Sequence, residues 1–201
     1  MELHTLTSEI SRIYRSIDRK ITRLQHAATI ACQEGCGACC ESPHIEATVL
    51  ETLPLAEAVF NFEEEEYIIG LVEEKISLND PSCALFHPEL DKPGNGRCSY
   101  YAFRPLLCRL FGFAARRNRK GDLEFSTCRR IKGTSPDSVE RAHIGVSAGL
   151  RVPVFQESFM RIAAMNPAIG FQRHPINFAI KEAIEYLYWR RPGKEKMAKA
   201  C

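Results

Sequence analysis

Leu6, Ile10, Ile13, Tyr14, Ile17, Ile21 and Leu24 recur at steps of three and four, with Arg12, Arg15, Asp18, Arg19, Lys20 and Arg23 between them. That period predicts a long amphipathic helix whose apolar stripe packs on a core. The pattern continues through Ala27, Ala28 and Ile30, so the helix is expected to end near Gly35. Residues 46–61 are predicted helical, with Pro54 suited to a first turn. Residues 63–77 form a further predicted helix, and Glu63, Glu64, Glu65 and Glu66 sit in its first turn, where the helix dipole favours negative charge. They read as a solvated helix start. Residues 82–104 carry Pro88, Pro93, Gly94 and Gly96 and predict loops with short extended pieces. Residues 109–116 alternate as a strand does, and 122–127 are expected to pair with them across a turn at 118–121. Helices are expected at 136–149, 153–165 and 175–190. The last gathers Ile176, Ala179, Ile180, Ala183, Ile184, Leu187 and Tyr188 on one side. Residues 193–201 read as a disordered tail. No internal repeat or low-complexity linker interrupts this order.

The predicted fold is therefore mainly α: one helical domain, residues 1–192, wrapped around a cysteine-rich, loop-rich centre with a small β-hairpin. The chain has 201 residues, 45% hydrophobic and 26% charged, the balance of a globular domain. Its 27 basic and 25 acidic side chains leave a net charge of +2, which excludes a strongly polybasic nucleic-acid binder and a solvating acidic protein. No apolar run approaches the roughly 20 residues that span a bilayer. Glu2, Glu9, Arg12 and Arg15 interrupt the start, so no signal peptide is expected and a cytoplasmic location is. Arg116, Arg117, Arg119, Lys120, Arg129, Arg130 and Lys132 form one local basic concentration. Without interleaved aromatics over 116–120 it reads as a solvated hairpin rather than a nucleic-acid contact.

Cysteine changes the picture. Nine are present, four of them in the run Cys32-Gln-Glu-Gly-Cys36-Gly-Ala-Cys39-Cys40. Cys83, Cys98, Cys108 and Cys128 follow, and Cys201 is an incidental stray at the end. One cysteine alone reads as a small buried hydrophobe; four within nine residues of an intracellular chain point to metal or redox chemistry. Thiolates are soft ligands that select zinc, iron–sulfur clusters or copper(I), and tetrahedral sites take four each. Gly35 and Gly37 let the backbone turn closely around Cys36. The vicinal pair Cys39-Cys40 is awkward for one mononuclear site, because adjacent side chains diverge in helix and strand. Cys32-x3-Cys36-x2-Cys39 has the spacing of the radical S-adenosylmethionine triad, but Ala38 stands where an aromatic is usual, and no strand–helix alternation follows.

The stretch Cys98-Ser-Tyr-Tyr101-Ala-Phe-Arg104-Pro105-Leu-Leu-Cys108-Arg109, with Cys36-Gly-Ala-Cys39-Cys40 upstream and Cys83 between, resembles the zinc- or iron-chelating CxxCxxCC family, the YkgJ-like cysteine-cluster proteins. The resemblance covers about residues 32–128. It departs at Cys32, separated from Cys36 by three residues rather than two, and at Ala84, where proline is common. It implies Cys32, Cys36, Cys39, Cys40, Cys83, Cys98, Cys108 and Cys128 as metal ligands. It makes Arg104, Arg109 and Tyr101 residues that orient and tune those thiolates without ligating. His44 and His87 lie near enough to replace a ligand, although such histidines are more often plain polar residues. The cofactor implied is zinc or iron, including a 4Fe-4S cluster.

Three functions remain open: a metal-binding or redox module; an enzyme of methyl-transfer or redox type with the metal at its active site; and a metal-stabilised module that binds a partner macromolecule. The family's domain type also occurs in bacterial flagellin lysine methylases, an analogy of fold only. No phosphate loop, HExxH or Ser-His-Asp signature names a reaction.

Overall fold

The computed structural model describes residues 3–191, so the expected tail at 193–201 lies outside the described residues. Helix α1 spans Leu3–Ala28 and buries the whole apolar stripe found in the sequence. It stops short of Gly35. Thr29 takes a left-handed φ of 52°, and the Ile30 N–H turns back to the Gln25 carbonyl at 3.2 Å. The freed end carbonyls find partners elsewhere: Arg141 Nε donates to Ala28 O at 3.1 Å and Ser138 Oγ to Thr29 O at 2.8 Å. Helix C-termini need such donor partners for their carbonyls, and here they come from more than 100 residues away, so the apolar period alone overruns the true end.

Strand β1 (Glu46–Thr48) leads into α2 (Val49–Asn61). Thr48 and Glu51 close a reciprocal capping box there: the Glu51 N–H donates to Thr48 Oγ1 at 3.1 Å, and the Thr48 N–H to Glu51 Oε2 at 3.4 Å. Pro54 lies inside this helix rather than in a first turn. Leu50, Leu53, Ala56 and Val59 are fully buried, so α2 is the central element. Helix α3 (Glu65–Ser77) starts two residues later than the glutamate run suggests, because Glu63 takes a left-handed φ of 58°.

The cysteine-bearing middle follows. Strands β2 (Phe86–Pro88) and β3 (Gly96–Cys98) form an antiparallel hairpin, with Phe86 opposite Cys98. A 3-10 turn (Tyr101–Phe103) precedes α4 (Leu106–Leu110). The expected strand at 109–116 is thus helical at its start. Pro105 stands at the N-cap of α4, Gly112 turns the chain at φ 88°, and only then does β4 (Ala114–Arg117) begin. It pairs with β5 (Leu123–Ser126) in register Ala114 with Ser126 to Arg117 with Leu123, as the sequence predicts.

Helix α5 (Arg129–Thr134), unforeseen beneath its basic run, buries Ile131. Helices α6 (Pro136–Ser147), α7 (Phe155–Ala163) and the short α8 (Pro167–Gly170) follow. Strand β6 (Arg173–Pro175) pairs antiparallel with β1, and α9 (Ile176–Tyr188) runs from it. Because β1 and β6 are paired, α2 and α9 start side by side and share their apolar faces, with α3 packed on α9. The fold is mainly helical with small two-stranded sheets, as expected. Among the described residues no helix is long and apolar enough to cross a membrane.

Candidate metal centre

Residues 35–37 run alongside the tip of the β2–β3 hairpin. The Gly37 N–H donates to Gly94 O at 2.9 Å and the Gly96 N–H to Gly35 O at 2.7 Å, which sets Cys36 opposite Asn95. Gly37 is required here, since a Cβ would strike the Phe86 ring. The chain then turns tightly, with the Cys40 N–H on Gly37 O at 2.8 Å. The Cys40 carbonyl in turn accepts from the Cys83 N–H at 2.8 Å. Cys98 ends β3 and Cys108 sits on α4. Cys128 is the N-cap of α5, its sulfur accepting from the Ile131 N–H at 3.4 Å. Five separate segments so bring eight free cysteines into one region. On the Cys128 side this region borders a cavity of about 340 Å³ whose walls include Leu107, Leu110, Phe111 and Phe155.

The thiols feel one another. Burial pushes Cys83 up to about 12, with Cys98 and Cys39 adding to the rise. Cys108 is driven well above the usual thiol range by burial, then by Cys83, Cys39 and Cys98. Burial also raises Cys98 and lifts Cys32 to about 11, where Cys128, Cys36 and Cys39 contribute. Cys39 goes the other way, to about 6, because the Cys40 thiol bonds to it. The same bond holds Cys40 protonated. The vicinal side chains therefore meet rather than diverge: residues 38–41 form a turn, where the helix and strand rule does not apply. The Cys39 charge bears on Cys32, Cys40, Cys83, Cys98 and Cys108 alike.

Cations flank the thiols. Arg104 favours the ionised form of Cys32, Cys39, Cys98 and Cys108. Its guanidinium lies 3.4 Å from the centroid of the exposed Tyr101 ring, and its Nε donates to Tyr101 O at 2.8 Å. Arg109 is only 6% exposed, and its hydrogen bonds go to oxygen rather than sulfur. It donates to Arg104 O at 2.7 Å and to Ala102 O, pairs with Asp18 of α1 at 2.7 Å, and lies over the Tyr14 ring. It thus buckles the 102–104 turn, and with it Arg104, to α1.

Arg130, read from sequence as part of a solvated basic loop, is the guanidinium that reaches sulfur. Its Nη1 lies 3.6 Å from Cys36 Sγ and 3.2 Å from Gly94 O. Elsewhere in that basic stretch, Arg117 pairs with Glu157 and Arg116 with Glu124. His44 is exposed, and the exposed His87 places Nε2 2.5 Å from Ser99 Oγ. Asn177 of α9, unremarked in the sequence, holds both flanks of Cys83.

Among the described residues no three Cys, His, Asp or Glu side chains stand at ligating geometry. The donor set nevertheless suits a soft or borderline metal: all eight donors are thiols, and a ligating thiol must lose its proton. Neighbouring thiolates cannot all ionise together without a compensating cation, and a metal ion supplies one.

A helical frame that gathers thiols from five segments beside a guanidinium defines a cysteine-cluster metal-binding protein. The family model for the CxxCxxCC domain, described as a putative zinc- or iron-chelating domain, matches residues 31–129. That domain occupies residues 31–129 of the chain and encloses all eight clustered cysteines. No curated protein and no solved structure matches the chain.

Proposed function

We propose that the chain holds zinc or iron through thiolates of Cys32, Cys36, Cys39, Cys40, Cys83, Cys98, Cys108 and Cys128. The observation that carries this is convergence of the backbone: the segment around Cys36 is bonded to the tip of the hairpin that ends on Cys98, and the Cys83 N–H bonds to Cys40 O at 2.8 Å. Bound metal supplies charge neutralisation and, where it is iron, redox capacity. The chain's own residues fix the thiols. The hairpin and Gly37 set Cys36, α4 carries Cys108, and the α5 N-cap presents Cys128. Four thiolates around a divalent metal leave a charge of about −2, which is costly to bury without compensation; Arg104 and Arg130 provide it. Arg109 works one step back, on the carbonyls that place Arg104. The test is metal content after anaerobic purification, by elemental analysis and absorption spectroscopy, in the parent, Cys108→Ser and Cys128→Ser. The parent should carry metal and each variant should lose part of it. A metal-free parent, or variants as loaded as the parent, would overturn the reading.

A further inference from the structure

We propose that Asn177, which lies outside the residues matched to the family, is the positioning residue that sets the Cys83 thiol among the other thiols. The inference rests on the proposed reading of Cys83 as a ligand. Asn177 is 4% exposed on a buried helix face otherwise made of Ile176, Ala179, Ile180, Ala183, Ile184 and Leu187. Its Oδ1 accepts from the Ala84 N–H at 2.9 Å, and its Nδ2 donates to the Ser82 carbonyl at 2.9 Å. These partners dictate the orientation of the amide, since a backbone N–H only donates and a carbonyl only accepts. The single side chain therefore brackets Cys83 from both sides.

The two peptide groups between those anchors are held as well. The Cys83 N–H donates to Cys40 O at 2.8 Å, and the Cys83 carbonyl accepts from the Phe86 N–H at 3.0 Å. Upstream, Lys75 Nζ reaches Asp80 at 2.5 Å and Ser82 Oγ at 2.8 Å, and the Ser82 N–H donates to Asp80 Oδ1 at 2.9 Å. Of these hydrogen bonds, the two from Asn177 are those that tie the residues on either side of Cys83 directly to α9. The Cys83–Cys40 bond couples two candidate ligand segments to each other, so without Asn177 they would drift together. Buried polar groups demand partners, which locks this geometry: removing the amide strands both the Ala84 N–H and the Ser82 carbonyl. Residues that orient ligands typically change metal affinity by about 10–100-fold when lost.

The experiment is a double-mutant cycle on the full chain, reading zinc affinity by competition with a chromophoric chelator and thiolate number by the sulfur-to-metal absorption of the cobalt(II)-loaded protein. Asn177→Leu keeps the bulk and deletes both bonds. It should weaken zinc binding about 10–100-fold and lower the sulfur-to-cobalt absorption. The double variant Asn177→Leu/Cys83→Ser should bind no more weakly than Cys83→Ser alone, because residues that act through one another are not additive. If Asn177→Leu does not fold, Asn177→Ala carries the same cycle, since it deletes both bonds without placing a branched side chain between Ser82 and Ala84. An Asn177 variant with unchanged affinity, or losses that multiply with Cys83→Ser, would overturn the positioning role alone. A Cys83→Ser protein that binds zinc as tightly as the parent would overturn the ligand reading, and the positioning role with it.

Discussion

Replacing Arg109 by alanine removes a guanidinium that is buried although the residues it serves are not. Two bonds to carbonyls, Arg104 O and Ala102 O, disappear; bonds to a charged group contribute about 1.5–3 kcal/mol each. The stacking over Tyr14, 4.5 Å from the ring centroid, is lost too, and a desolvated cation–π contact is worth about 2 kcal/mol. Asp18 limits the damage. Its side chain is 44% exposed, so water takes over the released carboxylate, and the pair itself adds under about 1 kcal/mol. Partial relaxation of the turn brings the expected loss to about 3–5 kcal/mol, a fall in Tm of about 6–20 °C at this chain length. Asp18→Asn should cost far less, and Arg109→Lys should rescue only in part, because an ammonium lacks the planar fork that reaches both carbonyls. Thermal unfolding of the three variants, paired with metal affinity by chelator competition, checks this. Since Arg109 places Arg104, affinity should fall with the melt in Arg109→Ala. A variant that melts with the parent and holds metal as tightly would refute the argument.

Burial pushes the Glu51 carboxyl from the usual 4.5 to about 7, against the lowering pull of the Thr48 N–H and Arg173. The folded chain then holds a proton that the unfolded chain releases, so this contribution is full below pH 4.5, falls up to pH 7, and is level above; the span is worth roughly 3 kcal/mol. Urea melts across this range should show Glu51→Gln flattening the slope and gaining stability near pH 8; an unchanged slope would contradict the burial argument. Gly37→Ala drives a methyl into the Phe86 ring and should lose about 1–3 kcal/mol together with metal affinity, whereas Gly70→Ala, with open space at its Cβ, should lose neither; equal melts for the two would count against the Gly37 contact. Structural thiolate sites contribute an apparent ~10–16 kcal/mol in small zinc peptides, so a chelator should speed amide exchange over residues 32–45 and 82–128 far more than in α2 and α9. Exchange that accelerates evenly, or not at all, would count against folding around the metal.

Much of the frame was legible because local physics fixes it. The stripe from Leu6 to Leu24 and the face from Ile176 to Leu187 are helical periods that packing had only to accept. The 114–126 hairpin is announced by its turn, with Gly121 at φ 89°. The cysteine run advertised its chemistry through composition alone. What stayed hidden depends on partners far along the chain. The end of α1 is set by Ser138 and Arg141, and Arg109 is held by Asp18, 91 residues away. Arg130 looked like solvated charge because its sulfur partner lies 94 residues upstream. Asn177 did leave a trace, a lone amide on an apolar helix face, but nothing in the sequence says which loop it holds. The meeting of Cys39 and Cys40 escaped a rule made for regular backbone, since it occurs in a turn.

The most direct test of the account is a count of alkylated cysteines by mass, in the native chain purified anaerobically, before and after a chelator. The account predicts that Cys32, Cys36, Cys39, Cys40, Cys83, Cys98, Cys108 and Cys128 are protected together and become reactive together once the metal is withdrawn. Labelling of these eight at the same rate with and without chelator would contradict it.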